Sequence, residues 1–274
     1  VSAPAASIPA GSLRAFLALV GAGYRRFSTY RQAALGSAFT NAVFGFLRCS
    51  VLLTVAAAGA GGTLVGYNPA QLATYVWVSQ GLIGVINFWT QLDLVERIKS
   101  GNIAADLLRP MDIMWMQLAT ELGRSLFGLV LRFTLPITVG AIFFDLYLPG
   151  KPHVYLLFVV AMVLSVLVGF LCRYILCLLC FWFLDIRGFW TAWVLCSGLL
   201  GGLQFPLPVW PDWLVTTLWV ATPFPLLLQG PLDVLVERES GAVIGLQVVW
   251  LVILFGVSRL MQGRALRKLV VQGG

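Results

Sequence analysis

The sequence predicts an all-α, polytopic membrane protein, and three observations predict it. Of 274 residues, 59% are hydrophobic and only 11% are charged, where an ordinary soluble domain carries about a quarter charged. Mean hydropathy is +0.91. The apolar residues gather in long runs without strand-like alternation, which argues against a β-barrel. So few charges could not cover the surface of a soluble protein of this length.

A helix crossing a ~30 Å hydrocarbon core needs about 20 apolar residues. By that measure six transmembrane helices are expected, at 36–60, 72–92, 126–144, 154–184, 189–205 and 242–261. Residues 1–12 are small and proline-containing and read as a disordered tail. The apolar run 13–20 is too short to span and is followed by Arg25 and Arg26. It reads as an amphipathic helix lying in the interface; a signal peptide is the alternative, though no clear cleavage site follows. The organisation is then an N-terminal tail with its interfacial helix over 1–33, and a single transmembrane domain over 34–274.

Basic residues set the orientation. With both termini cytoplasmic, the inner side holds Arg14, Arg25, Arg26, Arg31, Arg97, Lys99, Arg109, Arg124, Arg187, Arg259, Arg264, Arg267 and Lys268, and the outer side only Lys151 and Arg238. The net charge of +7 is therefore spread along the membrane edge, and no nucleic-acid partner is needed to account for it.

The loop 93–112 is the most informative polar segment. Residues 93–100 read as the second helix continuing out of the membrane, with Glu96 able to meet Lys99 or Ser100. Gly101 suits a C-terminal cap, Asn102 can cap a new helix over 103–108, and Pro110 ends it. Apolar Ile103, Leu107 and Leu108 with charged Asp106 and Arg109 make a short helix suited to dock on another protein; an ordinary connecting loop is the alternative.

The string from Arg97 through Gly101, Asn102, Ile103, Asp106, Leu107, Leu108 and Arg109 to Pro110 resembles the loop of permeases of the type 2 family of ATP-binding-cassette exporters. It is most similar to bacterial permeases of roughly 260 residues that work beside a second, related permease and a separate ATPase. The stretch from Ser197 and Gly198 through Phe205, Pro206, Pro208, Trp210 and Pro211 to Trp213 also resembles the family, as do Thr222 to Pro225 and Gly230-Pro231. At Gly201-Gly202 and Leu203-Gln204 the chain departs from the plainer apolar run expected there, which leaves the outer geometry open. The resemblance implies that the loop after the second span carries a coupling helix, so Glu96, Arg97, Asn102, Ile103, Asp106, Leu107 and Arg109 are the candidate ATPase-coupling residues. It also implies partners: separate nucleotide-binding subunits and a second permease, either a sibling or the same chain. The chain itself needs no cofactor; ATP and Mg belong to the ATPase. A bacterial plasma (inner) membrane location follows from the same likeness.

Between 206 and 236, Pro206, Pro208, Pro211, Pro223 and Pro225 break helix formation. The pieces 213–220 and 225–236 are too short to cross and too apolar for a free loop. Trp210, Trp213, Trp219 and Phe224 suit an interface. Two half-helices dipping into the outer leaflet fit, and the family likeness implies such a re-entrant hairpin near the exit. Pro206, Trp210, Trp213, Pro223 and Phe224 are its candidate gate residues; a packed lid without a transport role is the alternative.

Arginines inside spans cost at least ~2.5 kcal/mol and usually face protein or water. Glu121, Arg124, Gly128 and Arg132 share one helix face by spacing, with Arg132 about 12 Å deeper than Arg124. With Arg48 and Arg173 the charged ones are expected to line a translocation path; the alternatives are pairing across a permease–permease interface, or snorkelling toward the membrane edge. Cys49, Cys172, Cys177, Cys180 and Cys196 read as core residues, and the single His153 cannot make a histidine-based metal site. The chain has no Gly-x-x-x-x-Gly-Lys-Ser/Thr loop. The reading is therefore a permease subunit exporting an amphipathic or lipophilic solute with ATP hydrolysed elsewhere. The alternatives are a membrane-embedded lipid-modifying enzyme, for which the acidic residues and His153 do not converge, and a stand-alone channel or scaffold.

Overall fold

The computed structural model describes residues 10–183, 185–238 and 241–272, without the side chains of 10–12, 60 and 269–272. Residues 1–9 of the tail expected over 1–12, the end of the fourth span at 184, and 273–274 lie outside these; 10–12, expected as tail, already belong to the first helix. The described residues are helical throughout, apart from turns and one isolated bridge between Leu64 and Tyr67. The helices are α1 (Ala10–Ser28), α2 (Arg31–Ala58), α3 (Pro69–Ile86), α4 (Leu94–Lys99), α5 (Ile103–Leu107), α6 (Ile113–Gly128), α7 (Thr134–Phe143), α8 (Pro152–Leu178), α9 (Arg187–Leu200), α10 (Asp212–Ala221), α11 (Gln229–Leu235) and α12 (Gly241–Gln272). A π-helical turn, Leu129–Phe133, joins α6 to α7.

Among the described residues, four helices are long and apolar enough to cross a membrane: Arg31–Ala58, Ile113–Phe143, Pro152–Phe181 and Gly241–Lys268. The span expected at 126–144 begins at Ile113 instead, because Asp112 caps it through the Met114 amide (2.9 Å) and the Glu121–Arg124 pair closes within it. The expected crossing at 72–92 ends early. An Asn68–Gln71 capping box with Pro69 behind it starts α3, and Asn87, left-handed at φ 49°, ends it. Residues 93–100 therefore do not continue the second helix; α4 is a separate turn. An apolar run that includes Phe88 and Leu92 marks burial, and here it is loop backbone that is buried.

α3 is the centre of the molecule. At 18 residues it is about 27 Å long, and every residue from Leu72 to Ile86 is buried. Protein covers its Thr74, Ser79 and Gln80, so it needs no lipid-compatible surface. Close approach depends on small residues: the Trp77 indole lies where Cβ atoms on Gly45 of α2 and Gly140 of α7 would overlap it, and a Cβ on Gly84 would overlap Arg132 in the π turn. α12 packs along α8, pinned by Gln247 Nε2, which donates to the carbonyls of Ala161 (3.0 Å) and Leu226 (3.1 Å). The outer faces are apolar, with Phe39, Leu47 and Val51 of α2, Leu156 of α8, and Val252 and Leu260 of α12 all exposed. α1 lies against α6, with Gly23 against the Thr120 backbone.

Candidate functional site

The loop between α3 and α6 folds into a braced knob. Leu94, Val95 and Ile103 are buried anchors. Gly101, at φ +76°, makes the reversal between α4 and α5. Arg97 grips the nearly buried Asp106 with two nitrogens, Nη2 to Oδ1 at 2.6 Å and Nε to Oδ2. Arg109 adds a longer contact to the same carboxylate, 3.6 Å. The hydrogen bond to Asp106 holds the Arg97 guanidinium above its ordinary value. Arg26 of α1 pairs with Asp93, tying the first helix to the knob.

The sequence-predicted residues separate into two sets. Ile103 and Asp106 face inward and hold the knob together, whereas Leu107 is open and Leu108 is 88% exposed. Asn102 stands at the N-cap position, but its backbone is already helical and its side chain makes no cap hydrogen bond. Glu96 is exposed, with no ion pair among the described residues; the Ser100 hydroxyl instead donates to the Arg97 carbonyl (3.4 Å).

Beside the knob, the end of α3 is held by charge. Arg173 of α8, fully buried, donates to the carbonyls of Ile86 (3.4 Å) and Thr90 (3.3 Å) and pairs with Glu121. Glu121 also takes Arg124 Nε at 3.0 Å. Cations here meet the negative end of α3. Arg173 is thus paired within the chain, not across an interface between permeases. The irregular backbone after α3 is satisfied by α9: Trp193 Nε1 donates to the Phe88 carbonyl (2.7 Å) and Trp190 Nε1 to the Trp89 carbonyl (3.2 Å). Arg48, further along, donates to the Leu203 carbonyl (3.1 Å). Arg132 packs at Gly84.

At the opposite end, a buried polar node fastens the proline-broken segment to α3. The Tyr75 hydroxyl donates to Gln229 Oε1 (2.6 Å), and Gln229 Nε2 reaches the Tyr67 oxygen and Asp233, both at 2.8 Å. The Leu207 amide donates to the same Gln229 oxygen (2.9 Å). Gly202, at φ +86°, sits where a Cβ would strike Gln229 and Tyr75, which explains the departure at Gly201-Gly202. Among the expected gate residues, Phe224 packs on Trp193 at 5.8 Å between ring centres and Trp210 on Phe205 at 5.6 Å. Pro206 is buried, Pro223 half-buried and Trp213 71% exposed, so α11 is core and α10 covers it. Sequence reasoning missed this node. Its signal was Gln229 and Asp233 four apart, one helical turn, in an otherwise apolar stretch.

No group of three or more metal-ligating side chains gathers among the described residues. A comparison with curated proteins finds no match. Residues 44–273, most of the chain and all of the elements just described except α1 and the start of α2, match the family described as ABC-2 family transporter protein. The chain belongs to that family, as a multi-pass membrane permease of an ABC transporter.

Proposed function

We propose that this permease is the transmembrane subunit of an ATP-driven exporter whose energy comes from a separate nucleotide-binding subunit that grips the α4–α5 knob. The observation that carries the reading is the knob itself: a five-residue helix, anchored by Ile103, braced by Arg97–Asp106, and presenting Leu107 and Leu108 outward. A rigid knob passes a push from a partner directly into α3, α6 and, through α4, α8. ATP-driven closure of the partner must then favour one arrangement of the spans over another. ATP and Mg stay on that partner, and a second permease, sibling or identical, completes the pathway.

In this reading α2, α3, α6–α7, α8, α9 and α12 are six crossings. α9 alone is about 21 Å; the buried turn at Gly201, Gly202 and Leu203 carries the chain onward to the level of Tyr75. α10 and α11 form the re-entrant cap on the outer side. The knob end, with Arg25, Arg26, Arg97, Lys99, Arg109 and Arg187, faces the cytoplasm of a bacterial cell, as do both termini. Lys151 and Arg238 are outside. The apolar walls suit an amphipathic or lipophilic solute.

Purification of the full chain from its native membrane tests the reading. An ATPase should co-purify, and Leu108→Asp should lower its recovery by about tenfold while the permease itself still assembles, the size of effect that loss of one buried contact residue gives. Unchanged recovery would remove the docking role from the knob.

A further inference from the structure

Away from their ends near the knob, the long helices carry Arg48, Arg124, Arg132 and Arg173, and the sequences of those helices hold one carboxylate, Glu121. Glu121 serves both Arg124 and Arg173, so that triad keeps one net positive charge. Arg48 meets neutral acceptors, the Leu203 carbonyl and, with the Gln80 carboxamide oxygen turned toward it, Gln80. Arg132 meets none: its Nε is buried without an acceptor, and no ion pair among the described residues includes it.

Arg124 and Arg132 line one cleft of about 110 Å³ with Asn87, Thr90, Phe27 and Tyr30. Helical side chains lean toward the N-terminus of their helix, so Arg132 leans back toward Arg124 and the knob end. Two arginine side chains therefore border one small space beneath the α1–α2 corner, where the Asn87 carboxamide oxygen, turned toward it, also accepts from Arg124. Phe27, its ring 5.9 Å from the Arg124 guanidinium, supplies an aromatic wall. Glu121, the nearest carboxylate in the helices, is already engaged. Uncompensated charge at this depth is costly, and bidentate guanidinium chemistry suits phosphate and carboxylate.

The geometry points to an anion-binding site in this cleft, one that takes the phosphate or carboxylate head of an amphipathic molecule from the knob-side leaflet. The cleft holds a head group and no more; the apolar remainder would lie outside it. The inference rests on the membrane-permease reading for its setting and names the head-group chemistry that reading leaves open.

The test uses the full chain in neutral detergent and follows thermal unfolding and lipid retention by native mass spectrometry. The probes are phosphatidylglycerol, phosphatidylcholine and inorganic phosphate. Phosphatidylglycerol should raise the unfolding temperature of the wild type and be retained in preference to phosphatidylcholine. Arg132→Gln should need roughly tenfold more of it, while Arg187→Gln, an exposed arginine paired with Asp185, should behave as wild type. Thr90→Asp, at an exposed position, places a carboxylate at the cleft and should abolish the preference even if Arg132→Gln does not fold. Stabilisation of the wild type by inorganic phosphate, lost in the variants, supports the site with a free anion as occupant; stabilisation by phosphatidylglycerol alone supports it with a lipid. Equal effects of the two lipids on the wild type together with no response to inorganic phosphate, or equal response of wild type and variants, would overturn it. ATPase recovery from the same preparations keeps the two readings apart: recovery with no anion preference sinks only this site.

Discussion

Glu121 shows how one residue can be indispensable without any chemistry of its own. It pairs with two buried arginines, and Arg173 in turn closes off two carbonyls at and beyond the end of α3. Glu121→Gln would leave both guanidinium groups buried against a neutral amide. Removing one partner of a buried ion pair costs about 3–5 kcal/mol, so the variant should unfold at clearly lower temperature in detergent. Asp93→Asn, which breaks an exposed pair with Arg26, should change stability by less than about 1 kcal/mol. Half of the triad was legible: Glu121 and Arg124 are three apart, and helical spacing pairs them. Arg173 stands 52 residues further on, and no periodicity within one helix can report a contact made by another.

At the scale of elements, α5 is too short to be stable alone and exists because Arg97 and Gly101 fold it back on α4. Arg97→Gln should therefore leave the spans intact while the amides of residues 103–108 exchange with solvent about tenfold faster, measurable by hydrogen–deuterium exchange with peptide resolution. The knob was readable because its signals are local: a glycine where positive φ is needed, a proline just past the end, and charges at turn spacing. Element ends were less readable where apolar residues continue through a turn. Phe88, Leu92 and Leu94 are as buried as any helix residue, yet the chain has already turned at Asn87. Hydropathy records burial and says nothing of whether buried backbone is satisfied within a helix or, as here, by Trp190, Trp193 and Arg173. The span expected at 126–144 was placed too far along for a related reason. Glu121 and Arg124 look too polar for a span until their mutual pairing is seen.

For the whole molecule, the basic residues divide by end. Arg26, Arg97 and Arg109 cluster around the knob, while Lys151 and Arg238 lie with the Glu237 carboxylate at the other end, where Lys151 and Arg238 line a single cleft. In a chain freed of its five cysteines, Asn102→Cys should react with an impermeant thiol reagent only after the membrane is opened, and Lys151→Cys in intact cells. The reverse pattern would turn the molecule over and put the knob out of reach of any intracellular ATPase. Composition made the membrane class legible, because solvent leaves no other way to accommodate so few charges, and the long apolar runs without alternation made the helical class legible. The buried node of Tyr67, Tyr75, Gln229 and Asp233 was not legible, since it joins residues from opposite ends of the sequence.

The wider turn at Leu129–Phe133 also fixes the length of the helix that contains it. Tightening that turn to ordinary α geometry with all its residues kept would swing everything beyond it by about 100°. Gly140 would then no longer face Trp77, and a bulkier neighbour would be driven into the indole. Insertions and deletions elsewhere in this helix should accordingly be tolerated far less well than loss of one residue within the turn, because its two halves are indexed to different neighbours.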